Sequence, residues 1–227
     1  MPIMIKICGL KTREAIDAAL ESGADELGFV FFPPSPRHLG LSEARSLGAH
    51  VRGRGRKVAL TVDANDETLT DIVTALKPDM LQLHGKETPE RVAVVRSRFR
   101  LPVMKALPVA ERADLSPVRL YANVADRLLF DARAPQEATR PGGLGKAFDW
   151  TLLKGIKPGI PVMLSGGLNA GNVAEAIAVV RPDGVDVSSG VERAPGDKDV
   201  AKIRAFITAA RSADILQLDE SNIVGGA

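Results

Sequence analysis

Eight short apolar runs follow one another along the chain, and helix-length segments separate them. The runs read IMIKIC (3–8), ELGFVFF (26–32), KVALTVD (57–63), DMLQLH (79–84), LPVMKAL (101–107), RLLFDA (127–132), IPVMLSG (160–166) and GVDVSS (184–189). They are nearly continuous rather than strictly alternating, which is typical of parallel strands covered on both faces. The pattern therefore predicts eight buried parallel β-strands.

The intervening segments carry a helical pattern. ETLTDIVTAL (67–76) and NVAEAIAVV (172–180) repeat apolar residues on one helix face, and Thr88 followed by Pro89 is a typical helix start. Eight β/α units without a linker predict an α/β protein, a single (β/α)8 TIM barrel over residues 1–210. We expect residues 211–227 to form a flexible C-terminal extension. A doubly wound open sheet is the alternative, but it would usually have fewer strands.

Composition narrows the class of protein. With 45% hydrophobic and 26% charged residues, the chain has the composition of an ordinary globular protein. Its single cysteine excludes an internal disulfide, which fits a protein of the reducing cytoplasm. The start, MPIMIKICGL, does not read as a signal peptide, and no apolar run is long enough for a membrane span. The net charge is +2, and the one basic cluster, VRGRGRK (51–57), has no interleaved aromatic residues. We therefore expect a cytoplasmic protein, a monomer rather than a homodimer, without nucleic-acid or membrane partners.

Polar or reactive residues stand where the predicted strands end. They are Cys8, Arg37 in the second loop, Asp63, His84, Lys105, Asp131, and the stretches 165–167 and 188–190. Barrel enzymes place their active sites at this end of the strands, so the pattern predicts an active site. For Cys8 taken alone, a small buried core residue remains the alternative.

Two short Gly/Ser turns follow the seventh and eighth strands, in LSGGLNAGN (164–172) and DVSSGVE (186–192). In barrels these two loops commonly bind phosphate, because glycines allow close approach and helix starts present N–H groups. We predict phosphate contacts at Gly166, Gly167, Ser189 and Gly190, and a substrate built on a sugar phosphate.

Seven motifs together resemble one enzyme family. They are KICGL (6–10), GADELGFVFFPPSPRHL (23–39), LQLHGKE (81–87), LLFDA (128–132), GGLGKAFDW (142–150), LSGGLNAGNV (164–173) and GVDVSSGVE (184–192). In this order, from residue 4 to about 210, they resemble phosphoribosylanthranilate isomerase of tryptophan biosynthesis. The resemblance implies a single barrel that converts N-(5-phosphoribosyl)anthranilate to 1-(carboxyphenylamino)-1-deoxyribulose 5-phosphate by an Amadori rearrangement, without a cofactor or metal.

The resemblance also implies roles for individual residues. Asp131 corresponds to the family's general acid, and Cys8 to its general base. Arg37 resembles the family's contact to the anthranilate carboxylate. His84 and Asp186 match positions that line the substrate pocket, where either substrate contact or hydrogen bonding within the barrel mouth would account for them. Asp63 and Leu144 depart from the family pattern and carry no role.

Three other functions fit part of this pattern. A histidine-pathway sugar isomerase performs the same rearrangement, but its family has an aspartate base where Cys8 stands. A Schiff-base aldolase would use Lys105 as its nucleophile. A non-catalytic phosphosugar-binding barrel would keep the glycine turns but has no need for Cys8 and Asp131.

Two structural expectations concern the surroundings of this site. Lys6 and Cys8 share a strand face, and strand eight neighbours strand one in a closed barrel, so we predict a Lys6–Asp186 ion pair beneath Cys8. That charge favours a thiolate, whereas burial favours the thiol, and the sequence does not decide between them. We also predict that the long loop 132–148 folds over the substrate.

Overall fold

The computed structural model describes residues 2–134, 138, 141–142, 145 and 147–224, with side chains as far as residue 215. Eight parallel strands close into a barrel in the order β1 to β8. Their bounds are Met4–Cys8, Glu26–Phe31, Arg56–Thr61, Met80–Leu83, Val103–Val109, Arg127–Ala132, Val162–Leu164 and Gly184–Val187. The predicted TIM barrel is confirmed, and each of the eight strands overlaps its predicted run.

Seven α-helices lie in the part of the chain that the structure describes. They are α1 (Arg13–Glu21), α2 (Leu41–Val51), α3 (Asp66–Leu76), α4 (Pro89–Phe99), α5 (Val118–Ala122), α6 (Val173–Val180) and α7 (Val200–Val224). Among the described residues between β6 and β7, the helical segment is a 3-10 turn, Trp150–Leu153. A small antiparallel hairpin, β9 (Glu192–Ala194) and β10 (Asp197–Lys198), precedes α7. Within the described residues, no helix has the length and apolar character needed to cross a membrane.

Local sequence explains where several helices begin. The side chains of Thr12, Asn65 and Thr88 each accept a hydrogen bond from the backbone three residues on, which satisfies one of the free N–H groups of the first turn. Pro89 occupies the first position of α4, where a missing N–H costs nothing. The predicted start of this helix is confirmed.

Apolar residues fill the space between the barrel and its helices, but the barrel interior is mixed. One layer inside holds Val58, Met80, Met104, Ala106, Leu129 and Met163. The interior also contains two ion pairs, Lys6–Asp186 and Arg127–Glu26, each with a nitrogen–oxygen distance of 2.8 Å. The predicted Lys6–Asp186 pair is therefore confirmed, and the two residues are direct neighbours in the β1–β8 register.

The last helix runs past the predicted domain boundary at residue 210. Arg211 donates to the carbonyl oxygens of Ile3 and Gly23 and to Asp25, and Asp214 accepts from the backbone N–H of Ile3. Residues 211–214 thus contact the start of β1 and the turn after α1. The flexibility expected for 211–227 stays a prediction.

Candidate functional site

A cleft of about 700 Å³, including its open mouth, lies at the carboxyl ends of the strands. It brings together most of the residues that the sequence placed there: Cys8, Arg37, His84, Asp131, Gly166, Gly167, Asp186 and Ser189. Gly190 lies directly beside the cleft, in the 3-10 turn Ser189–Val191. Barrel topology accounts for this convergence, because all eight parallel strands end at the same rim.

Cys8 ends β1 on the floor of the cleft and is almost fully buried. Burial raises the pKa of its thiol, and the nearby ammonium groups of Lys6 and Lys198 oppose this only in part. Burial therefore decides the question that the sequence left open, in favour of the thiol.

The ammonium beneath Cys8 is held in place by its partner. Burial alone lowers the pKa of Lys6, but the carboxylate of Asp186 and the neighbouring Cys8 outweigh it and raise the pKa above its usual value. Asp186 also accepts a hydrogen bond of 3.1 Å from the Ser165 hydroxyl. Both sides of the pair are therefore anchored, and Asp186 contributes to the lining of the cleft.

Asp131, the second-to-last residue of β6, is joined by a hydrogen bond to His84 of the loop after β4. The His84 Nε2 atom lies 3.1 Å from Asp131 Oδ2, and the Asp131 Oδ1 atom accepts from the backbone N–H of Ala132 at 2.9 Å. On its other side, His84 Nδ1 lies 3.0 Å from the amide nitrogen of Gln82, which is fully buried. Gly142 packs over this group so closely that a β-carbon there would collide with Asp131 Oδ2.

Arg37 lines the cleft, and a carboxylate that sequence reasoning missed orients it. Its Nε and Nη2 atoms donate to the two carboxyl oxygens of Glu192, both at 2.7 Å. Lys198 also donates to Glu192, at 2.8 Å. Burial raises the pKa of Glu192, but its hydrogen bonds to Arg37 and Lys198 outweigh this and the pKa is lowered. Glu192 is the last residue of the motif GVDVSSGVE (184–192), and this position was the sequence signal that could have identified it. No sequence signal pointed to Lys198.

Both turns require glycine, the first for its backbone conformation and the second for lack of space. Gly166 and Gly167 have φ of 87° and 66°, values that favour glycine. A β-carbon on Gly190 would collide with the carbonyl oxygen of Leu168, so the turn after β8 packs directly against the loop after β7. Together the two turns form one wall of the cleft.

Lys105 and Asp63 are the two strand-end residues that do not line this cleft. The Lys105 ammonium donates to Glu87 at 2.7 Å and to the carbonyl oxygen of Gly85 at 2.6 Å, and its side chain is buried. Asp63 accepts from the backbone N–H of Lys86. Lys105 is therefore held in an ion pair outside the cleft, which does not favour the aldolase alternative. Leu144 lies outside the described residues, as does much of the predicted lid 132–148.

The remaining side of the cleft is apolar. Val30, Phe32, Leu60 and Val62 line it next to Cys8. Such a surface suits a flat hydrophobic group, whereas the glycine turns on the other side suit an anion. Within the described residues, no three His, Cys, Asp or Glu side chains converge as the ligands of a metal ion would.

Comparisons with known proteins agree on one family. The sequence model described as N-(5'phosphoribosyl)anthranilate (PRA) isomerase matches residues 5–209. An N-(5'-phosphoribosyl)anthranilate isomerase from Bradyrhizobium sp. (strain ORS 278) is 60% identical over 218 residues, which are 96% of this chain and 100% of the relative. An isomerase of the same name from Nitrobacter winogradskyi is 62% identical over 214 residues, 94% of this chain and 95% of the relative.

Solved structures extend this agreement to the fold. The crystal structure of phosphoribosyl anthranilate isomerase from Thermotoga maritima matches with a TM-score of 0.83 at 36% identity, covering 92% of this chain and 99% of the other. A phosphoribosyl anthranilate isomerase in complex with reduced 1-(o-carboxyphenylamino)-1-deoxyribulose 5-phosphate matches with a TM-score of 0.80 at 34% identity, with the same coverage. Since the family match spans nearly the whole barrel and the relatives match from end to end, the chain belongs to the N-(5'-phosphoribosyl)anthranilate isomerase family.

Proposed function

We propose that Asp131 and Cys8 carry out the two proton transfers by which this isomerase of tryptophan biosynthesis converts N-(5'-phosphoribosyl)anthranilate to 1-(2-carboxyphenylamino)-1-deoxy-D-ribulose 5-phosphate. The observation that carries the proposal is that a carboxyl group and a thiol, from β6 and β1, line one cleft between an apolar wall and two glycine turns. An aldose–ketose isomerisation needs an acid and a base facing one substrate.

The proposed steps balance their protons. Asp131 donates a proton to the furanose ring oxygen as the bond from that oxygen to C1′ breaks, and the nitrogen lone pair forms a protonated Schiff base. The Cys8 thiolate then removes the proton from C2′, and the electron pair of that bond neutralises the iminium to give an enolamine. The enolamine tautomerises to the ketone. A proton then returns from Cys8 to Asp131, which restores both groups for the next turnover.

The two ends of the substrate differ chemically, and so do the two sides of the cleft. We propose that the aryl ring packs on the apolar wall and that Arg37 binds the anthranilate carboxylate, to which a guanidinium is well matched. Glu192 orients the Arg37 guanidinium where it lines the cleft. This placement supports the binding of a carboxylate at this end.

The phosphate is assigned to the opposite end. We propose that the backbone N–H groups of Gly166, Gly167, Ser189 and Gly190 bind it, because these residues form the adjoining turns after β7 and β8. Between the two ends, His84 holds Asp131 through a hydrogen bond, and Asp186 holds Lys6 beneath Cys8. We assign these two residues a positioning role.

The test of the activity is a fluorescence assay with the purified chain. N-(5'-phosphoribosyl)anthranilate is fluorescent, and we expect its signal to fall in proportion to the amount of protein. The corresponding aminoaldose of the histidine pathway serves as the comparison substrate, because its isomerase uses an aspartate where Cys8 stands. Turnover of that compound alone would favour the histidine-pathway alternative. Binding of both compounds without turnover would favour a non-catalytic barrel.

The phosphate assignment predicts the effect of Gly190→Ala. The new methyl group has no space against the carbonyl oxygen of Leu168, so the two turns must separate. We expect KM for the substrate to rise about tenfold or more, since hydrogen bonds to charged groups contribute about 1.5–3 kcal/mol each. Gly40→Ala is the matched control, because a β-carbon there meets nothing closer than 3.4 Å. An unchanged KM in the Gly190 variant, with the fold intact, would show that the phosphate does not bind at this wall.

We further propose that the chain acts in the cytoplasm as a monomer. Its described large apolar side chains that are exposed lie on four different helices: Leu41, Val94, Leu120 and Ile215. A related structure from Thermotoga maritima is described as that of monomers generated from a dimeric isomerase, so the oligomeric state varies with the protein or its sequence.

A further inference from the structure

The hydrogen bonds of Asp131 conflict with its proposed role as an acid. The Gln82 amide nitrogen faces His84 Nδ1, so this ring nitrogen accepts and the proton of a neutral imidazole sits on Nε2. That proton points at Asp131 Oδ2, and Asp131 Oδ1 already accepts from Ala132. In this arrangement both carboxyl oxygens accept hydrogen bonds, and neither donates one.

We propose that Gln82 is a positioning residue whose amide, by rotating half a turn, determines whether the His84–Asp131 pair holds the transferable proton; the inference rests on the proposed acid role of Asp131. With its oxygen towards His84, Gln82 accepts a hydrogen bond from Nδ1–H. His84 Nε2 then accepts from a protonated Asp131, or the pair shares that proton. With its nitrogen towards His84, as in the structure, the pair is one proton poorer.

The surroundings of Gln82 permit both orientations. Its side chain is fully buried, and its Oε1 atom has no hydrogen-bond partner among the described residues. In either orientation one amide atom bonds to His84 and the other has no such partner. No second described hydrogen bond locks the amide, so the protonation state of the pair can decide its orientation. A buried polar atom without a partner costs stability, and a role in proton transfer accounts for keeping it.

The variants Gln82→Glu and Gln82→Met separate this role from simple packing. An ionised glutamate only accepts from Nδ1–H, so we expect one pH break of kcat/KM to move up by about one unit, because a charged partner stabilises the protonated ring. Methionine has a similar size but offers no such contact. We expect Gln82→Met to lower kcat about tenfold with little change in KM. The loss should be only part of the ~100-fold that a positioned acid contributes, because Asp131 itself is still present.

A matched control and a direct readout complete the experiment. Thr61→Val removes another buried oxygen without a described partner from the neighbouring strand β3, and it should leave kcat unchanged. The chain has only three histidines, so nitrogen-15 NMR can follow His84 in labelled protein. We expect its Nδ1 atom to gain a proton over the pH range of the same break in kcat/KM, and over a higher range in the glutamate variant.

The other charged groups close to Gln82, His84 and Asp131 stay the same in all variants. They are the paired Lys105 and Glu87, Asp63, Arg133 with its partners Asp114 and Glu111, and Cys8 across the cleft. The inference is overturned if Nδ1 stays unprotonated throughout, or if both Gln82 variants show equal losses with no movement of the pH break. Failure of the acid role itself is recognised separately, by an active Asp131→Asn enzyme.

Discussion

Asp131→Asn is expected to lower kcat by at least about 100-fold, because a positioned general acid contributes that much or more. The amide keeps the size of the carboxyl group and can still accept from the backbone N–H of Ala132. It has no proton to donate to the ring oxygen, so ring opening should become rate-limiting. KM should change little, since none of the groups assigned to the phosphate, the aryl ring or the carboxylate is altered. Steady-state kinetics of the fluorescent substrate measure both quantities.

Asp63→Asn is the matched control for this variant. Asp63 follows β3 at the same rim of the barrel but lies outside the cleft, where it accepts from the backbone N–H of Lys86. An asparagine oxygen can replace that acceptor, so this variant should keep nearly normal turnover. If Asp131→Asn also turned over near the wild-type rate, Asp131 would have no part in the mechanism.

The fold was predictable because its signal is repeated eight times. Each apolar run overlaps a strand, and the errors are confined to the strand ends. The run at 160–166 gives only a three-residue strand, which begins at Val162, after Pro161 with its missing N–H, and ends at Leu164, before the glycine turn. The strand β5 instead continues beyond the predicted run to Val109, with Pro108 included. Its pairing with β6 persists there, opposite Asp131.

The parts of the site that follow from where strands end were predictable. The contacts between side chains of separate loops were not. Cys8, His84 and Asp131 meet because the barrel closes, which the count of strands already implies. The bond from Arg37 to Glu192 joins the loop after β2 to the loop after β8, across the end of β1. No periodicity encodes such a contact, and a lysine in a two-residue strand, Lys198, completes it.

The balance of charge and burial around Cys8 also lay beyond the sequence. The strand alternation predicted an ammonium near the thiol, and the Lys6–Asp186 pair confirms it. Whether that ammonium lowers the pKa of Cys8 more than burial raises it depends on how completely the thiol is buried. That burial depends on the packing of Val30 and Leu60 against Cys8. Since Asp186 neutralises much of the charge of Lys6, burial prevails and the pKa of Cys8 is raised.

Cys8→Ser is expected to abolish most of the activity while the fold persists. A serine hydroxyl fits the same buried position, but it is far too weak a base to remove the proton from C2′. The proposed base is the Cys8 thiolate, and burial raises the pKa of the thiol, so the thiolate population grows as the pH increases. On the acid side of its optimum, kcat/KM should therefore rise with pH. Stopped or continuous fluorescence assays across the pH range measure this profile.

Cys8→Ala separates a basic role from a packing role at the same position. Alanine keeps a small apolar side chain between Val30 and Leu60 and leaves the Lys6–Asp186 pair intact beneath it. If Cys8 is the base, alanine and serine should be similarly inactive, and thermal unfolding should show both proteins folded. If Cys8 only fills the core, alanine should retain turnover in proportion to its stability. Near-normal turnover in either variant would therefore end the assignment of Cys8 as the base.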